Sequence, residues 1–111
     1  MEDLRHRDQE VLLVLMLDQK ARLLREKYLF QGTVNASVIS PREIFLEALA
    51  ARAVQIILLH NHPSGDARPS REDLESTRRI QEAGVLLGVT LADHIVIGDH
   101  TYVSFREKNY L

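Results

Sequence analysis

Four polar residues with fixed spacing stand in the stretch HNHPSGDARPSRED: His60 and His62 one residue apart, then Ser70 and Asp73 three residues apart. An apolar run, Val54-Gln55-Ile56-Ile57-Leu58-Leu59, leads straight into the first histidine. On an extended strand alternate side chains share a face, so His60 and His62 point the same way. Two imidazoles on one face can hold one metal ion. Asp73, in the first turn of a following helix, would reach back as a third, anionic ligand. Three N/O ligands with water in a fourth position is the pattern of a catalytic zinc rather than a closed structural one. The chain has no cysteine, so Cys-rich closed sites are excluded, as is the Pro-Cys-x-x-Cys segment of zinc deaminases. The plainer reading is a pair of polar strand-end histidines beside a capping box, with Ser70 as N-cap and Asp73 at N3. Capping and metal binding are compatible, and the compound pattern favours both.

The elements that must position these groups can be read around them. Val11–Leu17 has no polar face and predicts a strand buried on both sides, with Glu10 at its edge. Asp18-Gln19-Lys20 predicts a hairpin turn. Ala21–Phe30, carrying Arg22, Arg25, Glu26 and Lys27, predicts an exposed, edge-like strand. Met1–Asp8 reads as a polar lead-in with room for one helical turn, with His6 solvated between two arginines; Thr33–Ile39 reads as a connecting stretch with room for a short strand. Ser40-Pro41-Arg42-Glu43 starts a helix, with Ser40 as N-cap, and the helix runs to about Arg52. Its expected inward residues are Ile44, Phe45, Ala48, Leu49 and Ala51. A second helix runs from Leu74 to about Leu87, facing inward with Leu74, Thr77, Ile80 and Leu87; Gly84 allows close packing and Gly88 stops it. Val89–Ile97 predicts a strand interrupted by Asp93-His94, two residues that could support a metal site from behind or lie near a substrate groove and that read first as a hydrogen-bonded structural pair. Gly98-Asp99 is a turn, His100 a surface residue, and Thr101–Phe105 a last strand.

His-x-His, seven residues, then Ser-x-x-Asp matches the JAMM motif of the JAB/MPN metalloproteases. The wording HNHPSGD…PSRED, and the later AGVLLGVTLADHIVIGDHTYVSF, resemble the RadC branch of that family. The resemblance runs from about Leu4 to Leu111. It implies a single α/β domain with a mixed, mostly antiparallel sheet flanked by helices, in the cytidine-deaminase-like architecture, and one zinc per chain. It implies that His60, His62 and Asp73 bind the metal and that Ser70 assists the tetrahedral intermediate. It also places the family's general-base glutamate at Glu10, although Glu43, Glu47 and Glu72 are rival acids. Ala67-Arg68 departs from the usual RadC wording, and Arg68 could alter what approaches the site. The implied activity is zinc-dependent hydrolysis of an amide bond, peptide or isopeptide.

Composition bounds the rest. The 111 residues fit one domain spanning 1–111. A formal charge of −2 with aromatic content of 5% gives no electrostatic footprint for nucleic acid. A DNA-repair association, attached to RadC proteins with an N-terminal helix-hairpin-helix region, is therefore an alternative that the charge does not support. A non-catalytic interaction domain is a second, weakened because every motif position is filled. A phosphoesterase is a third, but it favours two metals and ligands for only one are found. No apolar run reaches membrane-span length and no signal peptide is seen, so the expected location is cytoplasmic. The substrate is a peptide or protein of unknown identity, and the exposed edge strand leaves a homo-oligomer open.

Overall fold

A computed structural model describes residues 9–32 and 41–111. The expectations for Met1–Asp8, for Thr33–Ile39 and for Ser40 as an N-cap lie outside these residues. The described chain forms one mixed five-stranded sheet in the order β2-β1-β3-β4-β5. The strands are β1 (Glu10–Leu17), β2 (Leu23–Gly32), β3 (Gln55–Asn61), β4 (Thr90–Ile97) and β5 (Tyr102–Ser104). Three neighbouring pairs are antiparallel and one, β3 with β4, is parallel. Two helices are described, α1 (Pro41–Ala50) and α2 (Arg71–Leu87). The fold class is therefore α/β with a mostly antiparallel sheet, as expected. No helix among the described residues is long and apolar enough to cross a membrane.

β1 lies inside the sheet because it is apolar on both faces. Leu12, Val14 and Met16 join Ile56 and Leu58 of β3, Ile44, Phe45 and Ala48 of α1, and Ile80 of α2 in the main core. Val11 and Leu13 pack with Leu59 and Ile97 in a second cluster. β2 is the edge strand its charges announced. Lys27 reaches across to Glu47 of α1 (Nζ–Oε1 2.6 Å), so Glu47 is engaged far from the motif.

The helices differ from expectation in detail. α1 buries Ile44, Phe45 and Ala48, but Leu49 is exposed and the helix ends at Ala50. α2 begins at Arg71, directly after its Ser70 cap, and its buried stripe is Asp73, Thr77, Ile80 and Gly84 with Ser76 beside it. Leu74 and Leu87 point outward. The stripe turned from Leu74 to Asp73 because the capping residue itself faces the sheet. Gly84 permits the close approach anticipated for it: a Cβ there would collide with the Val89 carbonyl and sit 3.4 Å from the Phe45 ring. Gly88 ends the helix at a φ of 75°.

Candidate metal centre

Strand order brings the groups together. β1 runs antiparallel to β3, so the beginning of β1 lies beside the end of β3, where α2 also begins. Leu12 pairs with His60. His60 therefore lies on the same sheet face as Leu12, Leu58 and the buried stripe of α2. β3 ends at Asn61, and His62 follows on the next extended residue, with its backbone N–H bonded to the Ile97 carbonyl of β4 (2.9 Å).

His60 Nε2 and His62 Nε2 are 3.1 Å apart. His62 Nε2 lies 3.1 Å from Asp73 Oδ2, and His60 Nε2 lies 3.5 Å from Asp73 Oδ1. These three side chains form a group that could hold a metal ion, with ligand atoms all within 4.8 Å of one another. Two ligand atoms bound about 2.0–2.1 Å from one ion in a tetrahedron are about 3.3 Å apart. The observed separations bracket that value, and the donor set of two imidazoles and one carboxylate fits a zinc ion.

The remaining polar atoms of these residues are spoken for. His62 Nδ1 donates to the Asp66 carbonyl (2.9 Å), which turns Nε2 inward. Asp73 Oδ2 accepts from the Ser70 N–H (2.8 Å), and Ser70 Oγ accepts from the Asp73 N–H (3.0 Å), completing the capping box. That second bond uses a lone pair of the serine oxygen, so the cap does not consume the hydroxyl proton. The sequence led us to expect capping and metal binding to be compatible, and the geometry agrees: Asp73 closes the capping box and stands in the group that could hold a metal ion.

The loop that carries Asp66 is fixed to the far side of the site. Asp99 N–H donates to the Gly65 carbonyl (2.8 Å). Gly98 is required for this approach, since a Cβ there would collide with the Gly65 carbonyl and lie 2.8 Å from Ala67 N. Arg68 folds back onto Asp66 (2.6 Å) rather than over the metal-binding group.

Burial and charge oppose each other here. Burial pushes the Asp73 carboxyl up, but hydrogen bonds from His62 and Ser70 and the charge of His60 prevail and hold it well below the usual range. The hydrogen bond to Asp73 raises His62 above 6.5 against burial, with the Asp66 carbonyl and the Glu10 charge acting in the same direction. Burial lowers His60 to about 4 and His94, which lies behind it, to about 3. Both bind protons more weakly folded than unfolded, so unfolding below pH 6.5 takes protons up, close to two near pH 5. Stability of the metal-free protein should therefore fall as pH drops from about 6.5 towards 4, by on the order of 1.4 kcal/mol per pH unit per proton. His62 works the opposite way: its contribution is complete below 6.5 and disappears as pH rises through its raised folded value. Urea unfolding of the metal-free chain at pH 7 and pH 5 checks this; equal stability at the two would contradict it.

Glu10 is the first residue of β1 and half-buried. Continuing the β1–β3 register two residues beyond Leu12–His60 sets it opposite His62. The residue that holds it there was missed in the sequence. Asn61 is buried, accepts from the Val11 N–H at Oδ1 (2.7 Å) and donates from Nδ2 to the Gln9 carbonyl (3.0 Å). It thus clamps the backbone on both sides of Glu10. A polar side chain between the two motif histidines, at a position whose parity faces away from them, was the available signal. Glu43 and Glu72, the other rival acids, are exposed on their helices.

Asp93 and His94 are not a side-chain pair, and they do not interrupt β4. Asp93 accepts from the His94 N–H (2.7 Å), from Ser104 Oγ (2.6 Å) and from the Arg106 N–H (3.0 Å), and so ties β4 to the chain after β5. His94 turns to the other face, 2.8 Å from His60 Nδ1. A register shift makes this possible. Ile56 pairs with Leu91, but Ile57 pairs with Asp93, so Ala92 is an extra residue. In a regular ladder, with Ala92 opposite Ile57, His94 would fall opposite Leu59, on the wrong face.

A family model described as RadC-like JAB domain matches residues 1–110. The UPF0758 protein YsxA of Bacillus subtilis is 49% identical over 111 residues, covering 100% of this chain and 48% of the relative. The UPF0758 protein BH3032 of Halalkalibacterium halodurans is also 49% identical, over 100% of this chain and 48% of its own length. The chain spans about half the length of the curated relatives it matches.

Proposed function

The chain belongs to the RadC-like JAB domain family, and from that premise we propose that it is a zinc-dependent hydrolase of amide bonds. One observation carries the reading: His60 Nε2, His62 Nε2 and the Asp73 carboxylate converge at 3.1–3.5 Å. What zinc supplies when bound there is an acidified water and a Lewis acid for a carbonyl oxygen. His60 and His62 present nitrogen lone pairs, and Asp73 presents the anionic oxygen.

Glu10, held beside His62 by the Asn61 clamp, takes the proton of the attacking water and hands it to the leaving nitrogen. Ser70 keeps its hydroxyl proton while it caps α2, and donates it in a hydrogen bond to the carbonyl oxygen as negative charge develops there, a contribution typically of about 3 kcal/mol. The substrate is a peptide or protein amide. The assay that tests the reading is hydrolysis of a mixed peptide and isopeptide library. Cleavage is expected to stop when a chelator strips the metal and to return when zinc is restored. Cleavage that survives the chelator with metal content at zero would overturn it.

A further inference from the structure

His94 and Thr77 take no part in the chemistry above, yet both are buried behind His60. Their hydrogen bonds admit one arrangement of protons. The Asp73 backbone carbonyl can only accept, so the Thr77 hydroxyl donates to it (2.6 Å). That uses the single hydroxyl proton. The second contact of Thr77 Oγ1, with His94 Nδ1 at 2.6 Å, must then be donated by His94. The His94 ring is buried and stacked on Phe105 with centroids 4.4 Å apart. Enclosed away from water it carries one ring proton, so its Nε2 is bare and accepts from His60 Nδ1–H across 2.8 Å. His60 is itself only 2% exposed, and with its one proton on Nδ1 its Nε2 is left as a lone pair.

The geometry points to Thr77 and His94 as positioning residues that lock His60 in the Nδ1–H tautomer, so that Nε2 faces the metal position. The lock begins and ends on one residue: the Asp73 carbonyl orients Thr77, and the Asp73 carboxylate stands opposite His60 Nε2. His62 also carries a proton on Nδ1, donated to the Asp66 carbonyl, while in the metal-free chain its Nε2 is hydrogen-bonded to the Asp73 carboxylate. The consequence for metal affinity rests on the function proposed above; the tautomer itself does not.

The test separates the two. Nitrogen-15 NMR of the metal-free protein at neutral pH reads the protonated nitrogen of each histidine, and zinc competition against a chromophoric chelator reads affinity. In the wild type His60 and His94 should both be Nδ1–H. Thr77→Val keeps the shape and removes the hydroxyl. The His94 proton should then leave Nδ1, where it has no acceptor, for Nε2, and drive the His60 proton to its own Nε2. Zinc affinity should fall about 10–100-fold, and Thr77→Ser should restore both readouts. His94→Phe, which keeps a ring against Phe105, should lower affinity similarly and supplies the variant should Thr77→Val fail to fold. A wild-type spectrum with the His60 proton on Nε2 would overturn the lock. So would a folded Thr77→Val protein, or His94→Phe should Thr77→Val not fold, with the His60 tautomer and zinc affinity unchanged. A wild type with the stated tautomers but no zinc affinity would leave the lock standing and defeat the metal reading instead.

Discussion

Replacing Asp73 with alanine should abolish metal binding and cost the metal-free fold about 2–4 kcal/mol. The residue does two unrelated things from one buried carboxylate, 1% exposed. It supplies the reciprocal half of the capping box of α2, accepting from the Ser70 N–H, and losing such a charge-assisted bond costs on the order of 1–3 kcal/mol. It also accepts the hydrogen bond of the half-buried His62 imidazole. Its removal leaves His62 without the hydrogen bond that raises its affinity for a proton, so His62 should fall back towards or below 6.5. Asp73→Asn separates the two roles. The amide oxygen can still accept from Ser70, so most of the stability should survive, while the anionic ligand and the zinc affinity are lost. Denaturant unfolding beside a zinc titration on both variants reads the two effects. An alanine variant that binds zinc as the wild type does would remove Asp73 from the site.

Glu10→Gln should leave the zinc in place and reduce turnover by about 10²–10⁴-fold. Glutamine has the same length and keeps the backbone clamp between Asn61, Gln9 and Val11, so only proton transfer is removed. Metal content and peptidase rate measured on the same preparation distinguish the outcomes. Loss of zinc with an intact fold would make Glu10 a ligand. An undiminished rate would return the base role to the rival acids, which the fold places badly: Glu47 is paired with Lys27, and Glu43 and Glu72 point to solvent.

The site residues could be read from sequence because each lies in a local pattern. His60 and His62 share a strand parity, and Ser70 and Asp73 share a capping box, so short-range geometry suffices to set His60, His62 and Asp73 in the group that could hold a metal and Ser70 at the cap of α2. Glu10 needed the resemblance, since nothing local says which strand neighbours β3. The contacts of the groups behind these residues were not legible, for the same reason. Asn61 acts on a strand about fifty residues away in the chain. His94 reaches His60 only because Ala92 is bulged out of β4, and Asp93-His94, which looks like a break in the strand, marks its resumption after that bulge. Leu74 was expected inside because leucine is apolar. Asp73 took the inward place because the first turn of α2 is fixed by its cap, and the stripe Asp73, Thr77, Ile80, Gly84 follows from that rotation.

The measurement that bears most directly on the central claim is elemental analysis of the purified wild type beside His60→Ala/His62→Ala. About one zinc per chain in the wild type, absent from a folded double variant, is the result this account predicts. A folded wild type that takes up no zinc on remetallation, or that holds as much after both histidines are removed, would contradict it.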